Sequence, residues 1–217
     1  LKRKKFKAAS KTLHMNQKDR KKLFFIGFIL VVIGAVDFIF TLLFEPFYNL
    51  LWFSNAITLL LGLSLILMNR LFMGAMLISS TAEIPWVIDF IGRLFFGKGI
   101  FGNVTEYMFK DFGFYSINFY MELDHLFVIP LALYGAFKIG VHKNSYLISS
   151  AHIILLNIST FYSTPASKNI NCIYHLCLLK EDIFNFNDAA YLIIWTVLLC
   201  ITAYLLNKAA LNFFKQK

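Results

Sequence analysis

The chain has 217 residues, 59% of them hydrophobic and only 15% charged, with a mean hydropathy of +0.66 and a formal net charge of +9. Soluble domains carry about a quarter charged residues, so the composition excludes an ordinary soluble domain and suits one membrane domain. The positive charge does not point to nucleic acid, because ten of the 21 basic residues fall in the first 22 positions, next to an apolar run.

That basic head, residues 1–22, reads as a cytoplasmic juxtamembrane segment in contact with anionic lipid heads. Residues 23–217 form the membrane domain. A bilayer core of about 30 Å needs about 20 apolar residues in a helix, and six stretches meet or approach that length: 23–44, 49–68, 71–96, 125–141, 145–162 and 188–213. The apolar run after the head is too long for a signal peptide and no small-residue cleavage site follows it, so it is expected to be retained. Glu45-Pro46, Asn69-Arg70 and Lys143-Asn144 mark three of the turns. The expected fold is all-α, a bundle of about six spans.

Orientation follows from the lysines and arginines. The large N-terminal block places that end inside, and Arg70, Lys138, Lys143, Lys208, Lys215 and Lys217 then also fall inside. Both termini are expected in the cytoplasm, in a multi-pass protein of the plasma (inner) membrane. Two outer loops, 97–124 and 163–187, exceed what a turn requires. The first is rich in Gly, Phe and Tyr, which suits an interfacial segment or a lid.

Ionisable groups inside a span are costly and face the bundle interior or a wet cavity. Here they are Asp37, Glu83, Asp89 and Arg93, with Asp124 and His125 at the mouth of the fourth span. Ser54 and Asn55 lie one turn into the second span. With the orientation above, most of these share one depth in the outer leaflet. Asp89 and Arg93 are four residues apart and suit an ion pair on one helix face. Glu83 precedes Pro85, whose ring kinks a helix and frees a carbonyl. His152 and Asn157 fall at other depths. Cys172, His175 and Cys177 lie together in the second outer loop, at a spacing that matches no common zinc pattern but allows a local disulfide. No metal or cofactor is expected.

Three stretches carry a resemblance: "LLWFSNAITLLLGLSLI", "EIPWVIDFIGRLFFGKGIFGNVTEYMF" and "PASKNINCIYH". They resemble the W-F-C-[DN]-x-A, W-V-x-D-F-x-x-R-L-x-x-G-K and P-x-x-N-I-N-W patterns of a family of bacterial polytopic membrane proteins known by location rather than activity. The likeness covers about residues 48–175. In layout the chain is also similar to two groups of intramembrane lipid enzymes. One is the Cys/His acyltransferases of ether phospholipids, and the other is the Thr/His hydrolases of branched fatty-acid esters. Both place a nucleophile early in one span and a His before a Pro-containing run. That layout implies Ser54, within "WFSN", as nucleophile and His125, within "HLFVIP", as base. Ser stands here where the bacterial family has Cys.

The leading functional reading is therefore a lipid acyltransferase or esterase whose partners are membrane lipids. In it, Asp124 or Glu122 orients His125, and Asn55, Asn171 or Arg93 binds an oxyanion or a phosphate head. Glu83 and Asp89 complete the candidate binding set. The alternatives are a transporter, a channel or a small-solute binder, with the polar cluster as its site, and a scaffold subunit.

Overall fold

A computed structural model describes residues 15–101, 104–176 and 187–214, and these contain helices and turns with no strand. The helices are α1 (Gln17–Phe44), α2 (Phe53–Leu67), α3 (Arg70–Ser80), α4 (Ile84–Phe96), α5 (Ile117–Met121), α6 (His125–Ile139), α7 (Ser145–Ser163) and α8 (Asp188–Phe213). Three stretches are long and apolar enough to cross a membrane: Gln17–Phe44, Arg70–Phe96 and Asp188–Phe213. The chain is an all-α protein with the character of a membrane protein. Large apolar side chains such as Phe25 (64% exposed) and Ile193 (63%) line the outer faces of α1 and α8, as lipid contact demands.

Several expected boundaries move. The first helix begins at Gln17, inside the basic head, because the Asn16 side chain accepts a hydrogen bond from the Asp19 amide at 2.7 Å and caps it. The second apolar stretch opens with a 3₁₀ turn, Phe47–Leu51, and becomes α-helical only at Phe53. The third is two helices. A 3₁₀ turn at Thr81–Glu83 separates α3 from α4, whose first turn holds Pro85. Pro85 has no N–H to continue an i−4 ladder and its ring crowds the carbonyl behind it. Hydroxyls serve the loosened end of α3: Ser80 Oγ donates to the Leu77 carbonyl at 2.8 Å and Thr81 Oγ1 to that of Ile78 at 2.6 Å.

Close packing follows from small residues. A Cβ on Gly34 would lie 2.6 Å from the Leu59 backbone nitrogen, and one on Gly62 would lie 2.7 Å from that of Val31. These two glycines let α1 and α2 touch backbone to backbone. The main core lies among α1, α2, α3 and α6, built on Leu23, Leu30, Ile57, Leu61, Met73, Val128 and Ala132. Hydroxyls and amides join α3 and α8 to α7: Ser79 and Ser149 meet at 3.1 Å, and Asn157 Nδ2 donates to Thr196 Oγ1 at 3.0 Å. His152 turns an edge to the Phe53 ring, at 5.6 Å between centroids.

One end of the bundle is tied shut. Lys138 Nζ bonds Asp19 Oδ2 at 2.9 Å, Arg70 Nε donates to the Ile139 carbonyl at 3.2 Å, and Asn207 Nδ2 to that of Lys143 at 2.7 Å. At the other end the chain forms a cap from 97 onward. Asp89 organises it, completely buried, with Oδ1 accepting from the Phe101 amide at 2.8 Å. Its Oδ2 accepts from the Thr105 amide at 2.9 Å and hydroxyl at 2.8 Å. The expected Asp89–Arg93 ion pair does not form, because these donors take the carboxylate. The Arg93 guanidinium instead faces the Phe109 ring at 5.9 Å. Phe90, Met108 and Phe119 make a small apolar core beneath the cap.

Candidate active site

The helices converge on a cavity of about 640 Å³ at the capped end. Each element delivers residues by its terminus. The last turns of α1 bring Asp37 and Thr41, its C-cap is Glu45, and the first turn of α2 brings Phe53, Ser54 and Asn55. The α3–α4 break contributes Glu83 and Trp86, the cap Tyr107 and Glu122, and the first residue of α6 is His125. The proline that breaks the third stretch is thus what places Glu83 at the cavity wall instead of inside a continuous helix.

His125 is buried, at 7% exposure, with carboxylates on both sides of its ring. Its Nδ1 donates to Asp124 Oδ1 at 2.7 Å, and Asp124 Oδ2 in turn accepts from the Thr58 hydroxyl of α2. Its Nε2 lies 3.6 Å from Glu83 Oε2 and 3.8 Å from Glu122 Oε2. The Trp86 indole stacks on the imidazole, with centroids 4.5 Å apart and planes 27° from parallel. Together these contacts fix the ring's plane and place the Nδ1 proton toward Asp124.

A second chain of bonds reaches the same histidine. Trp86 Nε1 donates to the Tyr107 hydroxyl at 3.3 Å, and that hydroxyl donates to Glu122 Oε2 at 2.8 Å. Burial pushes the Glu122 carboxyl up from its ordinary range, against the opposing pull of His125 and of the Tyr107 hydrogen bond. Burial, reinforced by the Glu122 charge, raises Tyr107 well above the usual phenol range, so it remains a donor.

The residues singled out from the sequence divide into two groups. Ser54, Asn55, Glu83, His125 and Asn171 all line this cavity, and Asp124 holds His125 from behind. Ser54 and His125 share the cavity but no hydrogen bond joins them, since the imidazole nitrogens face Asp124, Glu83 and Glu122. Asn55 donates to the Asn49 carbonyl at 2.6 Å. The Asn171 amide is used as a clip: its Oδ1 accepts from the Phe53 amide at 3.1 Å and its Nδ2 donates to the Leu51 carbonyl at 2.7 Å. It caps α2 at a positive φ of 55° and so anchors the turn that carries Ser54. Asp89 and Arg93 lie outside the cavity lining and build the cap.

Cys172 lies at the cavity edge and is disulfide-bonded, while Cys200 is free. The Cys177 reading falls outside the described residues. Among the described residues no three His, Cys, Asp or Glu side chains are placed to hold a metal ion.

Sequence reasoning missed Thr58, Trp86 and Tyr107. A signal existed for Thr58, which lies four residues after Ser54 and therefore on the same face of α2. Tyr107 had none, because its approach depends on the cap that Asp89 folds. In comparison with family models, curated proteins and solved structures, the chain matches none.

Proposed function

We propose that the protein is a membrane-embedded enzyme that cleaves or transfers the acyl group of a lipid ester. Ser54 is the nucleophile, His125 the base, and Asp124 the residue that orients the base. The observation that carries this reading is the placement of Ser54 and His125 in the wall of one cavity, with His125 Nδ1 bound to Asp124 at 2.7 Å. That bond leaves Nε2 as the nitrogen available to a reacting hydroxyl. In unliganded sites the nucleophile–base bond is commonly open and closes only when substrate is bound.

In the proposed reaction, the Ser54 hydroxyl adds to the ester carbonyl as its proton passes to His125 Nε2. Collapse expels the alcohol, which takes that proton back. Water or an acceptor alcohol then attacks the acyl-serine with the same base. Ser54 sits in the first turn of α2, where backbone N–H groups lack intrahelical acceptors, so the developing oxyanion has donors nearby.

The same proposal includes six membrane crossings, with α2, α6 and α7 added to the three long stretches, and both termini cytoplasmic. The basic head and the lysines at the tied end of the bundle support that orientation. It puts the cavity in the outer leaflet of the plasma membrane, near the depth of phospholipid ester bonds.

The test is lipid profiling of cells that express the wild-type chain, Ser54→Ala or His125→Ala at equal membrane levels. Changed ester-lipid composition in wild type alone supports the reading. Identical profiles in all three overturn it. The excess of carboxylates in the cavity favours one second reading, a binding or transport site for a cationic solute.

A further inference from the structure

The cavity carries more acid than base. Asp37, Glu45, Glu83 and Glu122 line it, and His125 is the one basic side chain among its described lining residues. His125 is already bound to a fifth carboxylate, Asp124. Tyr107 donates to Glu122, and Asn49 Nδ2 donates to Glu45 Oε2 at 2.9 Å. Asp37 and Glu83 accept no hydrogen bond from the described residues. Glu83 is only 4% exposed, and its nearest charged neighbour, His125 Nε2 at 3.6 Å, is beyond hydrogen-bond length. Asp37 lies within electrostatic reach of Asp124, Glu122 and Glu45, with His125 opposing them. Carboxyl groups held in an apolar bundle without donors either keep a proton or draw positive charge into the cavity.

The walls point to the kind of charge. The chain has three tryptophans, and all of them, Trp52, Trp86 and Trp195, line this cavity. Trp86 is stacked on Phe90 and His125, which leaves Trp52 and Trp195 for a ligand. Indoles beside carboxylates are the chemistry that recognises organic ammonium groups, and Trp is the strongest of the rings in that role. A small hydrated metal ion would instead want converging oxygen ligands, and no such triple occurs among the described residues.

We propose that the cavity binds an organic ammonium group, held by Glu83 and Asp37 beside Trp52 and Trp195. The inference takes the cavity of the lipid-ester reading as its site but does not rest on Ser54 chemistry. The ammonium can come from a zwitterionic lipid headgroup or from a free amine, and the recognition is the same.

Because every tryptophan lines the site, intrinsic fluorescence reports its occupancy. The full chain in phosphatidylglycerol nanodiscs is titrated with tetramethylammonium chloride, with sodium chloride at matched ionic strength as control. The expected result is a saturable emission change with tetramethylammonium alone. Half-saturation should rise about tenfold or more in Glu83→Gln and in Asp37→Asn, which removes a more accessible charge if Glu83→Gln does not fold. In phosphatidylcholine nanodiscs, a higher half-saturation identifies the headgroup as the competing ligand, and an unchanged one identifies a free amine. The absence of a saturable change, an equal response to sodium, or wild-type behaviour in the folded variants would overturn the inference. In the wild type, binding without ester turnover would sink the enzymatic reading alone, and turnover without binding the ammonium site alone.

Discussion

Asp124 and His125 are adjacent in sequence, and their side chains nevertheless meet at 2.7 Å through Oδ1 and Nδ1. Neighbours in a regular helix project about 100° apart, but here a 3₁₀ turn, Glu122–Asp124, ends where α6 begins. The pair is then fixed from outside by the Thr58 hydroxyl on Asp124 and the Trp86 ring on His125.

Thr58→Val keeps the shape of the side chain and removes its hydroxyl. A hydrogen bond to a charged acceptor contributes about 1.5–3 kcal/mol, so ester turnover is expected to fall about 10- to 100-fold with the helix content unchanged. Steady-state kinetics beside circular dichroism checks this. Unaltered turnover would show that Asp124 needs no support from α2.

The cap depends on one carboxylate. Asp89→Ala leaves the Phe101 and Thr105 amides without their acceptor and is expected to cost about 2–4 kcal/mol. Limited proteolysis should then cut the cap between residues 97 and 112 faster than in wild type. Since Asp89 and Arg93 do not pair, adding Arg93→Ala should not restore stability. A restored double variant would mean that the two charges answer each other after all.

Backbone contact between α1 and α2 makes Gly34→Ala a test of the fold. The added methyl meets the Leu59 nitrogen at 2.6 Å, and relieving it requires α1 to move. Overpacking of this kind costs about 1–3 kcal/mol. Thermal unfolding in detergent should show a lower midpoint than wild type, and an unchanged midpoint would contradict the packing.

Glu122 gives a pH dependence. Burial raises its carboxyl in the folded state above its ordinary value near 4.5. The stability linked to that shift is therefore present below the ordinary value and lost as pH rises through the folded one. Glu122→Gln does not titrate, and Gln can still accept from Tyr107. The variant's stability relative to wild type should be greater at pH 7 than at pH 4, measured by thermal unfolding at both. A difference that does not grow with pH would contradict the direction of the shift.

How far the sequence was legible depended on the range of the interactions. Helical class and the three long apolar stretches follow from hydropathy alone, which is a local property. The gathering of Ser54, Glu83 and His125 was legible too, because alternating helix direction puts their positions at one end of a bundle. The helix break at Thr81–Glu83 could be anticipated from Pro85. The roles of Asp89 and Asn171 could not. Each is decided by backbone amides distant in sequence, Phe101 and Thr105 for one and Phe53 for the other. An (i, i+4) acid–base spacing shows that two residues share a face, but it does not show which donor arrives first. The absence of a direct Ser54–His125 bond was equally hidden, since it reflects how closely Glu83 and Glu122 approach the ring.

The most direct test of the central claim is covalent. A fluorophosphonate reacts with an activated serine: the Ser54 oxygen bonds to phosphorus, fluoride leaves, and the hydroxyl proton passes to His125. The full chain in liposomes is treated with the reagent and the adduct is located by peptide mass spectrometry. The account expects an adduct on Ser54 in the wild type, and its loss in His125→Ala under conditions where that variant keeps the wild-type unfolding midpoint. No adduct on Ser54, or labelling at an equal rate without His125, would contradict it.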